Sequence, residues 1–232
     1  MLPRVKTGMA GLDDTIQGGF PTGSTITVTG DSGAGKSTFA MQFIHNGITQ
    51  SNEPGLYISF EEEKNRVYEY MKAYGWDFAQ LEKDKKFVYL EYPPQDVDHF
   101  MAQELMVHDM IDEFGIKRVA LDSITSFAML YESEQKRKQE VVKLLTKLRK
   151  WGCTVILVAE SHVDASGVPR AKYGMESLSD GVVYLYNFRK GGDTRVRALE
   201  VVKLRGTAYE ARMFPLRFTS KGIEIFPDEH VY

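Results

Sequence analysis

Gly30-Asp31-Ser32-Gly33-Ala34-Gly35-Lys36-Ser37 decides the reading of this 232-residue chain. The octet fits G-x-x-x-x-G-K-[ST]; it follows the β-branched run Ile26-Thr27-Val28-Thr29 and precedes a helical pattern, the two contexts this motif requires. Glycines let successive backbone amides turn inward toward phosphate oxygens, and the helix that follows adds its positive end. Lys36 is placed to neutralise β and γ phosphates, and the Ser37 hydroxyl, with Thr38 beside it, to ligate magnesium. Average composition yields such a match by chance in about one chain of this length in a hundred. The flanking strand and helix make a mere glycine-rich turn rarer still.

Outward from the loop, apolar β-branched runs recur between turn signals at 25–29, 56–60, 87–90, 119–121, 154–159 and 182–186, and they predict strands. Helix-length segments at 36–50, 64–74, 97–114 and 134–151 lie between them, with apolar residues three and four apart. In the last, Val141, Leu144, Leu145 and Leu148 form one stripe opposite a lysine-rich face. Alternating strand and helix is the signature of βαβ units. The predicted fold is therefore α/β, a mostly parallel twisted sheet flanked by helices. Beyond Tyr186 the segments 195–204, 209–219 and 222–226 are strand-like with no helix between them, which predicts a C-terminal antiparallel hairpin extension.

A magnesium ion held by one hydroxyl and phosphate oxygens needs a nearby carboxylate. Arg118-Val119-Ala120-Leu121-Asp122 ends in one, at the edge where parallel strands deliver residues to a ligand. Hydrolysis also needs a group to orient or deprotonate water. The run Leu56-Tyr57-Ile58-Ser59-Phe60 ends in Glu61-Glu62-Glu63 at that same edge. Strand alternation lets only one of Glu61 and Glu62 face the phosphate directly. An acidic first turn of the next helix would look the same in sequence, so spacing alone does not choose between the two readings.

Bulk properties narrow the class. A chain with 43% hydrophobic residues buries enough surface to stand as one domain over 1–232 without disulfide or metal staples. A net charge of -3 gives no chain-wide pull toward nucleic acid or anionic membrane. The lone Cys153, inside an apolar run, reads as a packing residue. No signal-peptide pattern and no membrane-length apolar window is found, so the expected location is cytoplasmic. His45, His99, His108, His162 and His230 share no ligand spacing, and Ser161-His162 reads as loop rather than a nucleophilic pair.

Several stretches together resemble the KaiC family of RecA-like ATPases. They are Gly11-Leu12-Asp13-Asp14, Gly18-Gly19-Phe20-Pro21, the phosphate loop with Phe43-Ile44-His45-Asn46-Gly47-Ile48, Ser59-Phe60-Glu61-Glu62, Leu121-Asp122-Ser123, Ala171-Lys172-Tyr173-Gly174, Lys203-Leu204-Arg205-Gly206-Thr207 and Gly222-Ile223-Glu224-Ile225-Phe226-Pro227. The resemblance runs nearly end to end, covers one KaiC domain, and is to the single-domain kind common in archaea. It implies a homo-oligomeric, usually hexameric ring with ATP or ADP and Mg2+ held between neighbours. It further implies that Glu61 and Glu62 are the paired catalytic glutamates. Lys203 and Arg205 match the cations that reach from one subunit to the next subunit's phosphates. Alternation around Leu204 puts these two on one strand face. Glu160 is similar to a family segment that would sense the γ phosphate. Met129-Leu130-Tyr131-Glu132-Ser133-Glu134 lacks the neighbouring Ser and Thr acceptors of the clock protein, which speaks against autokinase activity.

Three functions compete: an ATP-hydrolysing switch read by a protein partner, a recombination accessory factor on DNA, and a low-turnover structural ring. Fold does not separate them. The charge balance and the lack of a helical DNA-binding module favour the first. Lys136, Arg137, Lys138, Arg170 and Lys172, in the loops 130–139 and 162–172 expected near a ring axis, keep nucleic acid as the second reading. The glutamate pair argues against the third.

Overall fold

A computed structural model describes residues 2–93, 100, 102–163, 169–190 and 194–231. Strands are β1 (Arg4–Val5), β2 (Phe20–Pro21), β3 (Thr25–Gly30), β4 (Gly55–Ser59), β5 (Phe87–Glu91), β6 (Arg118–Asp122), β7 (Thr154–Val163), β8 (Pro169–Ala171), β9 (Gly181–Lys190), β10 (Thr194–Leu204), β11 (Met213–Thr219) and β12 (Gly222–Ile225). Helices are α1 (Leu12–Thr15), α2 (Lys36–Ser51), α3 (Lys64–Lys72), α4 (Phe78–Lys83), α5 (Glu104–Phe114), α6 (Ile124–Met129), α7 (Glu134–Lys150) and α8 (Met175–Leu178).

A 10-stranded sheet runs in the order β12-β11-β10-β9-β3-β7-β6-β4-β5, with β8 joined to β7. Strands β3, β4, β5, β6, β7 and β9 are mutually parallel where they pair, and β10, β11 and β12 continue antiparallel. The C-terminal strands are thus antiparallel, as expected, and form the outer part of the main sheet. Alternation along each strand feeds two cores. Ile26, Val28, Tyr57, Tyr89, Ala120, Ile156 and Val158 pack with Phe39, Phe43 and Ile44 of α2 and Met71 of α3. Leu56, Ile58, Val119, Leu121, Val155 and Leu157 pack with Ile111 of α5, Phe127 of α6 and Val141, Leu144 and Leu148 of α7. Helices therefore cover both faces, as parallel strands require.

Three expectations change in detail. The helix expected over 97–114 is described as α5 from Glu104; residues 97–99 and 101 lie outside the described residues. Segment 162–172 is not all loop, because β7 and β8 form an antiparallel ribbon with Ser161 opposite Ala171 and His162 opposite Arg170. Helix α6, unforeseen, starts directly after β6, with the Ser123 hydroxyl capping it by accepting from the Ser126 amide at 3.1 Å.

Register puts the chemistry at one edge. Ser59 pairs with Asp122 and Asp122 with Val158, so β4 and β6 end together; β3 ends two residues further on, where Gly30 pairs with Glu160, and β7 continues to Val163 beside the same edge. In open α/β sheets that edge is where ligands bind.

Candidate active site

The phosphate loop leaves β3 through Gly30, whose φ of 153° and contacts exclude any side chain: a Cβ there would lie 2.0 Å from the Leu185 carbonyl oxygen. Gly35, in a left-handed conformation, ends the loop against the Phe218 ring and caps α2. Between them Ala34 is buried, while Ser32 and Gly33 are exposed. Lys36 Nζ folds back to donate to the carbonyls of Gly30 (3.0 Å) and Asp31 (2.9 Å). Burial is the main influence on its pKa and lowers it, against the charges of Asp122, Glu160, Asp31 and Glu61.

A cleft of about 550 Å³ opens over this loop and is also lined by Ser37, Thr38, Glu61, Glu62, Asp122 and Glu160. The loop residues, the two glutamates and Asp122 picked out in the sequence thus meet in one place. Glu61 and Glu62 depart from expectation in one respect. They lie beyond β4, in a bend closed by the Ser59 hydroxyl, which accepts from the Glu62 amide at 2.9 Å and from the Glu61 amide at 3.3 Å. Strand alternation therefore does not govern them, and both line the cleft. Glu61 Oε1 accepts from the Ser123 hydroxyl at 2.5 Å and from the Ser126 hydroxyl. The Glu62 carboxylate is 3.8 Å from Arg66, one turn into α3.

Asp122 is buried, and the Tyr57 hydroxyl donates to its Oδ2 at 2.5 Å, with Ser37 beside it in the cleft. Burial, the largest influence, still raises its pKa above the ordinary carboxylate value. A folded pKa above the unfolded one means that the native state holds the proton more tightly. Stability therefore falls as pH rises through the interval between the two values, and the loss persists above it. Asp122→Asn removes that cost. Without nucleotide, the variant is expected to melt above wild type at pH 7, by about 2–4 °C for each kcal/mol relieved. The gain should shrink as pH falls below the folded pKa; a variant that melts lower at pH 7 contradicts this account of the carboxylate.

Lys203 and Arg205 are not in the cleft. Lys203 pairs with Val182, which pairs with Thr27, three residues before Gly30 and so about 10 Å back along the sheet. Its Nζ donates to the carbonyls of Glu176 (2.8 Å) and Ser179 (2.6 Å). Arg205 lies in the turn after β10 rather than on the strand, so the two do not share a strand face by alternation. The β10 ladder is also irregular between Val201 and Lys203. Arg205 Nη1 is 3.2 Å from Asp180 Oδ1. Both cations converge on the segment 176–180.

Several residues at the loop escaped sequence reasoning because they arrive from distant strands. Ser161 donates to Asp31 Oδ1 (3.3 Å), the Asn187 amide to Asp31 Oδ2 (3.4 Å), and Asn187 Nδ2 to the Ser32 carbonyl (3.3 Å). Arg197 donates to the Gly33 carbonyl at 3.4 Å and lies 5.0 Å over the Phe218 ring. Glu160 pairs with Lys172, and its amide donates to Thr125 Oγ1 at 2.9 Å. No motif spacing signals Ser161, Asn187 or Arg197, whereas Glu160, picked out in the sequence by family resemblance, does line the cleft.

Among known proteins, the family model described as "ATPase: KaiC" matches residues 5–230. The circadian clock oscillator protein KaiC of Synechococcus elongatus is 34% identical over 97% of this chain, and that of Parasynechococcus marenigrum 35% identical over 97%. The chain spans 44% and 45% of those two proteins, so about half the length of the curated relatives it matches. A solved KaiC-like protein from the archaeon Pyrococcus horikoshii OT3 superposes with a TM-score of 0.87 at 32% identity, covering 98% of this chain and 100% of the other. No described helix is long and apolar enough to cross a membrane.

Proposed function

The chain belongs to the KaiC family of ATPases, and from this we propose that it binds ATP with Mg2+ in the cleft over Gly30–Ser37, hydrolyses it, and acts as a nucleotide-dependent switch in a homo-oligomeric ring. The observation that carries this is the charge pattern of the cleft. Among the described residues lining it, Lys36 is the one cation, set against Asp31, Glu61, Glu62, Asp122 and Glu160. A triphosphate entering such a site needs a divalent cation to offset the carboxylates. The donor set fits Mg2+, which keeps several waters and takes one or two carboxylates plus phosphate oxygens; Ser37 and Asp122 would hold it. When bound, the ion supplies charge neutralisation between the β and γ phosphates.

In this reading the amides of the loop cradle the phosphates, and Lys36 turns from its carbonyl partners to the phosphate oxygens. Glu62 takes the proton of the attacking water as the water oxygen bonds to the γ phosphorus and ADP leaves. Glu61, its Oε1 already occupied by two hydroxyl donors, orders the water rather than receiving its proton. Since Lys203 and Arg205 lie away from their own cleft, they serve a neighbour's nucleotide across a subunit interface, in a ring whose hexameric form the family resemblance supports.

The test is phosphate release beside fluorescent-ATP binding. Glu62→Gln is expected to bind as wild type and to hydrolyse about a hundredfold more slowly or worse, since it removes water activation without removing a phosphate contact. If only Glu61→Gln slows turnover, the two roles exchange. Full turnover in both variants overturns the hydrolytic assignment, and an ATP-loaded wild type without turnover supports a static ring.

A further inference from the structure

Tyr57 enters the sequence reading only as part of the β4 run, and nothing in the proposed chemistry uses it. It sits mid-strand in β4, opposite Tyr89 of β5 on one side and Ala120 of β6 on the other. Ala120 and Asp122 share a face of β6, two residues apart. The small Ala120 side chain leaves the Tyr57 ring room to run diagonally along the sheet to Asp122, where its hydroxyl meets Oδ2 at 2.5 Å. The ring is 1% exposed and stacks on Tyr89 with centroids 5.3 Å apart and planes at 17°. Tyr89 in turn receives the Tyr68 ring edge at 5.8 Å. An aromatic stack wedged this way has few rotamers open to it, so the hydroxyl is a fixed donor.

We propose that Tyr57 is a positioning residue for the cation site: its hydroxyl holds the Asp122 carboxylate in the orientation that receives Mg2+ beside Ser37. The inference rests on the reading of the cleft as a Mg-nucleotide site and assigns within it a residue that touches neither metal nor nucleotide. A buried phenol needs some acceptor, and any carbonyl would satisfy that need. Here the acceptor is instead the one carboxylate that ends β6 at the phosphate edge. Groups that bond a metal-ligating carboxylate from behind set its direction, and their loss weakens metal affinity about ten- to hundredfold. The Tyr89 hydroxyl extends the arrangement by donating to the Glu62 carbonyl at 2.9 Å, so one stack braces both acidic walls of the cleft.

The experiment titrates MgCl2 into protein with a fixed concentration of fluorescent ATP. Tyr57→Phe keeps the ring and its stack and removes only the hydroxyl. It is expected to need about ten- to hundredfold more Mg2+ for half-maximal binding, with affinity in EDTA unchanged. Tyr68→Phe is the control: it removes a hydroxyl from the same cluster, one that donates to Glu82 at 3.2 Å and does not touch Asp122. It should titrate as wild type. In an Asp122→Asn background, Tyr57→Phe should produce no further shift. A shift below about fivefold, or one of equal size in Tyr68→Phe, overturns the proposal and leaves Tyr57 a packing residue. The rise in melting temperature when Mg2+ is added to the nucleotide complex supplies the same comparison from unfolding, and so remains readable if Tyr57→Phe is less stable. A wild type whose nucleotide binding ignores Mg2+ fails at the earlier step, the cleft reading itself, and is distinguished by that.

Discussion

Lys36→Ala is expected to abolish ATP binding while leaving the fold intact. The cleft faces the incoming phosphates with five carboxylates and, among its described lining residues, a single cation. Charge-assisted hydrogen bonds to a phosphate are each worth about 1.5–3 kcal/mol, and Lys36 is placed to make them to two phosphates, so affinity should fall about a hundred- to ten-thousandfold. The fold should not suffer equally. Burial lowers the Lys36 pKa, which means that the native state disfavours its charged form. With the folded value below the unfolded one, charged Lys36 costs stability at every pH below the folded pKa, and Ala removes that cost. The two carbonyls it contacts, of Gly30 and Asp31, lie at a loop open to water. Fluorescent-ATP titration beside thermal melting checks both halves. Unchanged affinity would end the phosphate-loop assignment; lost affinity together with collapsed stability would show Lys36 to be structural.

The parts of this molecule that were readable in sequence are those where one residue's backbone or chemistry leaves no alternative. The loop is one, since Gly30 admits no Cβ and Lys36-Ser37 open a helix at a strand end. The alternating β-branched runs are another, because a sheet covered on both faces requires apolar residues on both. Where legibility failed, the cause is contact across long sequence separation. Ser161, Asn187, Arg197 and Phe218 reach the loop from β7, β9, β10 and β11, and their spacing in the chain carries no period. Helix α6 spans only Ile124–Met129, too short for helical periodicity to show. Tyr57 reads as an ordinary strand aromatic until β6 is laid beside it. Gly47, quoted above only within a family-like stretch, has a physical reason that needs three elements at once. The buried Arg118 guanidinium lies 4.5 Å over the Phe43 ring and pairs with Glu53 at 2.7 Å, and a Cβ on Gly47 would come within 2.1 Å of Arg118 Nε.

Arg205→Ala is expected to bind ATP and to hydrolyse it about a thousandfold more slowly, the worth of an arginine that stabilises transition-state charge on a transferring phosphoryl group. Its placement argues for action on a neighbour. Arg205 is mostly exposed, in a turn at the opposite end of β9 and β10 from the phosphate edge, and its only described ion pair is with Asp180 at 3.2 Å. An exposed pair of that kind is worth about 0–1 kcal/mol, so leaving it to meet a neighbour's γ phosphate costs little. Lys203 is more committed, with two carbonyls to give up, and so should contribute less than Arg205. If the arginine acts across an interface, mixing Arg205→Ala with Glu62→Gln rebuilds intact sites wherever an Arg205→Ala subunit holds the ATP and a Glu62→Gln subunit reaches over it. In a randomly mixed ring about a quarter of head-to-tail interfaces qualify, the product of two one-in-two choices. Two nearly inactive proteins should then recover about a quarter of wild-type phosphate release once subunit exchange has been verified by mass. Mixed rings that stay inactive would mean that Arg205 serves its own subunit or none, and the active site would have to be completed from within a single chain.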